Sequence, residues 1–116
     1  MEKKKSKFFF NSSELEKEEI ENGVIRYIYT GQNIQTVEYH FQPNTVFPVH
    51  KHDNHEQIGY LISGKMVLKV GGVEKVLLPG DSYHAPIGVE HNAWTHDEPA
   101  VILDIFGPPR EDLVKK

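Results

Sequence analysis

The chain has 116 residues, 13 basic and 17 acidic side chains for a formal net charge of −4, and seven histidines but no cysteine. That length suits one domain with its own core. Without cysteine there is no disulfide framework, no thiol nucleophile, no iron–sulfur cluster and no cysteine-ligated zinc, so any metal must be held by nitrogen and oxygen. The mild acidity argues against a broad nucleic-acid footprint, and no apolar run approaches membrane-spanning length. A cytoplasmic protein with neither nucleic acid nor membrane as partner is expected.

In chain order, a basic run at residues 3–7 precedes Phe8, Phe9 and Phe10. Three apolar residues are too few for a signal-peptide core, so this segment reads as a solvated leader. Residues 13–22 fit two descriptions. Ser13 and Glu16 have capping-box spacing for a short helix, whereas Leu15 and Ile20 alone make no apolar stripe and suit an acidic extended arm. Residues 1–21 are therefore taken as a leader or arm and 22–116 as one domain.

From Val24 the pattern is β. Segment 24–29 is β-branched and aromatic, and in 34–42 Val37, Tyr39 and Phe41 alternate with polar residues. Strands are then predicted at 57–63, at 66–70 and 73–78 around the hairpin turn Gly71-Gly72, at 83–85, at 92–96 and at 100–106. About eight short strands punctuated by turns, with no strong helix, point to an all-β sandwich or closed barrel.

The densest chemistry lies at 49–57. His50 and His52 are two apart, so on an extended segment both rings project from one face and reach a single ion at about 2.0–2.1 Å. Alone, that pair is also what a polar surface strand looks like. Two further donors tilt the balance: Gln57 opens the next strand, and His91 follows the tight turn at Pro86 to Gly88. All four sit at strand ends of a barrel, where binding mouths form. Of the remaining histidines, His55 is expected in a loop or on the outer face. His40 either lines the barrel or is exposed, and His84 and His96 adjoin the site or lie on the surface.

On these residues the sequence resembles the cupin superfamily of double-stranded β-helix (jelly-roll) barrels. The first cupin motif reads His50, His52, Gln57 and Gly64, and the second reads Gly80, Pro86, Gly88 and His91. Counting back from Gly64 puts Gln57, not Glu56, at the usual carboxylate position, and neighbouring strand residues face opposite ways, so only one of the two is a ligand. The shell of three His and one Gln is neutral, leaving a bound divalent ion its full charge as a Lewis acid. Neutral imidazole and amide donors suit nickel, zinc, iron, cobalt or manganese. Thr95 stands where the second motif often has asparagine, which puts the usual hydrogen bonding around the metal in question.

In the last strand Asp104 and Phe106 share one face and Val101, Leu103 and Ile105 the other. Periodicity leaves open whether Asp104 and Phe106 look into the lumen or outward. A carboxylate within so apolar a strand needs a partner or a task. Over residues 22–114 the chain is similar to the short single-domain cupins that include the uronate-linearising enzymes of pectin and alginate breakdown, which open cyclic 4,5-unsaturated uronates to keto acids. That resemblance implies Asp104 as the proton-transfer group, and Phe106 and Arg110 as binders of a sugar-acid substrate. An Fe(II)-dependent cupin dioxygenase and a non-catalytic sugar- or metal-binding cupin are the alternatives. Edge strands and an arm able to cross to a neighbour point to a homodimer.

Overall fold

The structure, a computed structural model, describes residues 8–20 and 23–114. The basic run at 3–7 and the boundary expected between 21 and 22 lie outside the described residues. Ten strands are present among those described: β1 (Glu16–Ile20), β2 (Val24–Thr30), β3 (Gln35–Phe41), β4 (Val46–His50), β5 (Glu56–Gly64), β6 (Met66–Val70), β7 (Val73–Leu77), β8 (Ser82–Ala85), β9 (His91–Trp94) and β10 (Ala100–Gly107). They form two antiparallel sheets, ordered β1-β2-β3-β10-β5-β8 and β4-β9-β6-β7. The expected all-β architecture is present, and its eight predicted strands correspond to β2, β3 and β5–β10.

Strict alternation builds the interior. Gln35, Val37, Tyr39 and Phe41 of β3 face inward, as do Ala100, Ile102, Asp104 and Phe106 of β10. They meet Leu61 of β5 and, from the opposite sheet, Met66, Leu68, Leu77 and Ala93. Full burial of side chains such as Leu61 and Phe106 contributes about 1.5–3 kcal/mol each. This apolar packing fills the lumen except at the end where β4, β5, β9 and β10 bring the polar residues.

Two segments differ from the simplest expectation. Within residues 13–20 the extended alternative holds for 16–20, and residues 21 and 22 lie outside the described residues. Asn11 and Glu14, not Ser13 and Glu16, make the capping box, around a single 3₁₀ turn at Ser12–Glu14. Glu16–Ile20 then pairs antiparallel with β2 of its own chain. Strand β4 was not expected, because Pro48 removes a ladder donor. The structure accommodates it at a sheet edge, where the register with β9 shifts between Phe47 and His50.

Gly64 ends β5 with φ +83°, and a Cβ there would fall 2.0 Å from the Pro99 carbonyl oxygen. The first motif's glycine therefore lets β5 close against the start of β10. At the same end of the barrel Thr95 is buried. Its hydroxyl donates to the Gln42 carbonyl (2.6 Å) and accepts from the Thr45 amide (3.1 Å). The residue in the asparagine's place thus ties β9 to the β3–β4 connection.

Candidate metal centre

Strand β4 delivers His50 directly opposite His91 of β9, and the loop after β4 carries His52 back over them. The Gly88 amide donates to the His52 carbonyl (2.7 Å), clasping the two motif segments together. The ligand-capable nitrogens of His50, His52 and His91 all lie within 4.8 Å of one another. Their ring centroids are 4.2 Å (His50–His91), 5.0 Å (His50–His52) and 5.3 Å (His52–His91) apart.

Tautomers are set by the backbone. His50 Nδ1 lies 2.8 Å from the Pro48 carbonyl and His91 Nδ1 3.0 Å from the Val89 carbonyl. A carbonyl only accepts, so each Nδ1 carries the proton and each Nε2 keeps its lone pair. Burial lowers the pKa of all three imidazoles, that of His52 to about 3. They are neutral at pH 7, the form a metal ligand requires. The Nε2 atoms of His52 and His91 are buried with no hydrogen-bond partner, as is Gln57 Oε1. Buried acceptors left unpaired are costly, and three imidazoles whose nitrogens cluster within 4.8 Å of one another fit a divalent transition metal.

Gln57 is buried whereas Glu56, its neighbour, points out and pairs with His84 Nε2 at 2.7 Å. The Gln57 amide nitrogen donates to the Tyr83 hydroxyl (2.7 Å) and to Asp104 Oδ2 (3.2 Å). Tyr83 in turn donates to Asp104 Oδ2 at 3.0 Å. Asp104 faces the lumen, and its Oδ1 is buried and unpaired. Burial pushes its carboxyl up to about 7, against the pull of the Tyr83 hydrogen bond and the Arg110 charge.

Phe106 is fully buried and forms an apolar wall in edge contact with His52. The Arg110 guanidinium lies 5.2 Å from the Phe106 ring centre. Its backbone amide is held by Gln35 Oε1 (3.1 Å), and its side chain grips Asp112 through two hydrogen bonds (2.7 and 3.1 Å). One cavity is lined by His50, Gln57, Tyr83, His91, Asp104 and Arg110.

Sequence reasoning missed two residues here. His55 is in a loop, as expected, but it is buried, with its ring 4.1 Å from that of His52 and 5.5 Å from that of Phe106. Tyr83 gave no signal because its role depends on pairing: it sits directly across from Gly59. A Cβ on Gly59 would fall 2.0 Å from Tyr83 Cε1 and 2.5 Å from Asp104 Oδ1. Gly59→Ala is therefore expected to cost about 1–3 kcal/mol of stability through overpacking, read as a lowered denaturation midpoint. The other histidines are peripheral: His40 pairs with Glu38 (2.6 Å), and His96 is exposed.

Comparison with known proteins places the fold. The cupin domain model matches residues 37–106. The pectin degradation protein KdgF of Dickeya dadantii (strain 3937) is 32% identical over 107 residues, covering 91% of this chain and 97% of that protein. Among solved structures, KdgF from Halomonas sp. superposes with a TM-score of 0.85 at 30% identity, covering 91% of this chain and 97% of that one. An RmlC-like cupin from Shewanella frigidimarina NCIMB 400 also reaches a TM-score of 0.85, at 33% identity, over 94% and 97% of the two chains.

Proposed function

The chain belongs to the cupin domain family, and from that membership we propose that it is a metal-dependent enzyme of sugar-acid breakdown, opening cyclic 4,5-unsaturated uronates to their linear keto acids. The observation that carries the reading is a cluster of three neutral imidazoles, two of which, His50 and His91, line one cavity with Gln57, whose amide oxygen is unpaired, and with the buried Asp104 carboxyl and its free oxygen. Likeness to a protein named for pectin degradation supports the substrate class.

The reaction is an isomerisation. The anomeric hydroxyl loses a proton as the ring C–O bond breaks, and C4 gains one as a ketone forms at C5, so no atom is gained or lost. Asp104 takes the first proton and returns one to C4, work typically worth 10²–10⁴-fold. Its unpaired Oδ1 is the atom free to do this. Arg110 binds the uronate carboxylate, exchanging its hold on Asp112 for a similar two-point contact. Phe106, fully buried against His52 and beside the Arg110 guanidinium, backs the sugar site and holds those two groups in place. A divalent ion held by His50, His52, Gln57 and His91 would supply Lewis-acid stabilisation of oxygen-centred negative charge.

Incubation with the unsaturated uronate released by a polysaccharide lyase tests the proposal. Ultraviolet absorbance of the double bond should disappear without consumption of oxygen. Turnover that consumes oxygen would assign a dioxygenase instead, and no turnover a binding protein.

We place the protein in the cytoplasm, as a homodimer. Among the described residues no helix is long and apolar enough to cross a membrane. The outer face of β5 and β10 suits a second copy: Ile58, Tyr60 and Ile62 are about half exposed there, next to Val101, Leu103 and Ile105. Tyr60→Glu with Ile62→Glu should convert a dimer to a monomer in sedimentation experiments, and a wild-type monomer contradicts this part of the reading.

A further inference from the structure

Every cupin-type site needs its fourth donor the right way round, and an amide, unlike a carboxylate, has a wrong way round. Rotated by half a turn about its last bond, Gln57 presents an NH₂ group, which has no lone pair to give. What fixes the orientation is visible in the hydrogen bonds behind it. Both hydrogens of Gln57 Nε2 have acceptors, the Tyr83 hydroxyl at 2.7 Å and Asp104 Oδ2 at 3.2 Å. The single hydroxyl hydrogen of Tyr83 goes to that same Oδ2 at 3.0 Å. The three groups close a triangle in which each donor is used.

Turning the amide over would set Gln57 Oε1 against the Asp104 carboxylate and the oxygen of Tyr83, whose hydrogen is already committed. In the orientation present, Oε1 is left buried and unpaired, on a residue that lines the same cavity as His50 and His91. Resting on the metal-site reading above, we propose that Tyr83 is a positioning residue that locks the Gln57 amide with its oxygen toward the metal. The same triangle accounts for glutamine where a carboxylate is usual. A glutamate at 57 would bring no donor to Asp104 Oδ2 and would set two buried carboxylates side by side. Gly59 belongs to the device, since only a residue without Cβ leaves room for the Tyr83 ring across the strand.

The test is Co²⁺ binding to the metal-free full chain, followed by calorimetry and by the visible spectrum of the bound ion. Tyr83→Phe removes one oxygen and keeps the ring that fills the space over Gly59. In the wild-type background it should weaken Co²⁺ binding by about 10–100-fold, the usual cost of losing a partner that orients a ligand, and should change the spectrum. In a Gln57→Glu background the orientation no longer matters, because either carboxylate oxygen can bind, so Tyr83→Phe should change affinity by less than about 3-fold.

Equal Co²⁺ affinity and spectrum in wild type and Tyr83→Phe overturn the inference while leaving the metal site standing. An equal loss in both backgrounds also overturns it, assigning Tyr83 a merely structural part. A wild-type chain that takes up no Co²⁺ overturns the inference and the metal-site reading together.

Discussion

Asp104→Asn is expected to lower turnover of the unsaturated uronate by about 10²–10⁴-fold while the barrel stays folded. The side chain keeps its shape and an oxygen able to accept from Tyr83 and Gln57, but loses the ability to take and return a proton. Initial rates for wild type and variant, normalised to bound metal, check this. A variant retaining more than a tenth of wild-type turnover would remove Asp104 from the proton path.

The same substitution has a pH signature in the metal-free protein. The folded carboxyl titrates near 7, well above its ordinary value of 3.8, because it is buried. Folding therefore favours the protonated form, and the stability this group permits is complete below about pH 4 and lost as pH rises through about 7. The stability of wild type relative to Asp104→Asn should fall between about pH 4 and about pH 7, as measured by denaturant unfolding. The imidazoles, whose pKa values are lowered, act in the opposite direction, but they are common to both proteins and cancel in the difference.

The second large effect is expected at His91. It is 4% exposed, stands opposite His50 across the β4–β9 pair, and has its Nδ1 proton committed to the Val89 carbonyl. His91→Ala removes a whole donor rather than a group that orients one. Metal affinity should fall by more than the 10–100-fold typical of an outer partner, and turnover should fall with it. Metal titration of the purified variant decides the matter. His84→Ala serves as the control, since His84 lies on the outer side with its Nε2 on Glu56 Oε1 at 2.7 Å; its metal affinity should equal that of wild type.

Much of this barrel could be read from the chain because period-2 alternation and glycine turns survive in β2, β3 and β5–β10. Strand β4 was hidden by Pro48, which an edge strand tolerates and an inner one does not. The direction of Asp104 was undecidable for a different reason: both faces of β10 are apolar. Val101, Leu103 and Ile105 would normally mark the core side, yet they lie on the outer face, and Ile102 and Phe106 share the lumen with the carboxylate. The donors His50, His52 and His91 were findable from the spacing of the two motifs, although His50 ends β4, His52 lies in the loop after it and His91 meets them only through the β4–β9 pairing. Tyr83 and His55 were not, since a cross-strand neighbour and a folded-back loop are facts of tertiary structure.

The most direct measurement compares uronate turnover by one preparation before chelation, after removal of metal, and after restoring one equivalent of a divalent transition ion. The account predicts loss of turnover on chelation, with the fold retained, and recovery at a stoichiometry of about one per chain. Full turnover by the metal-free protein would contradict it.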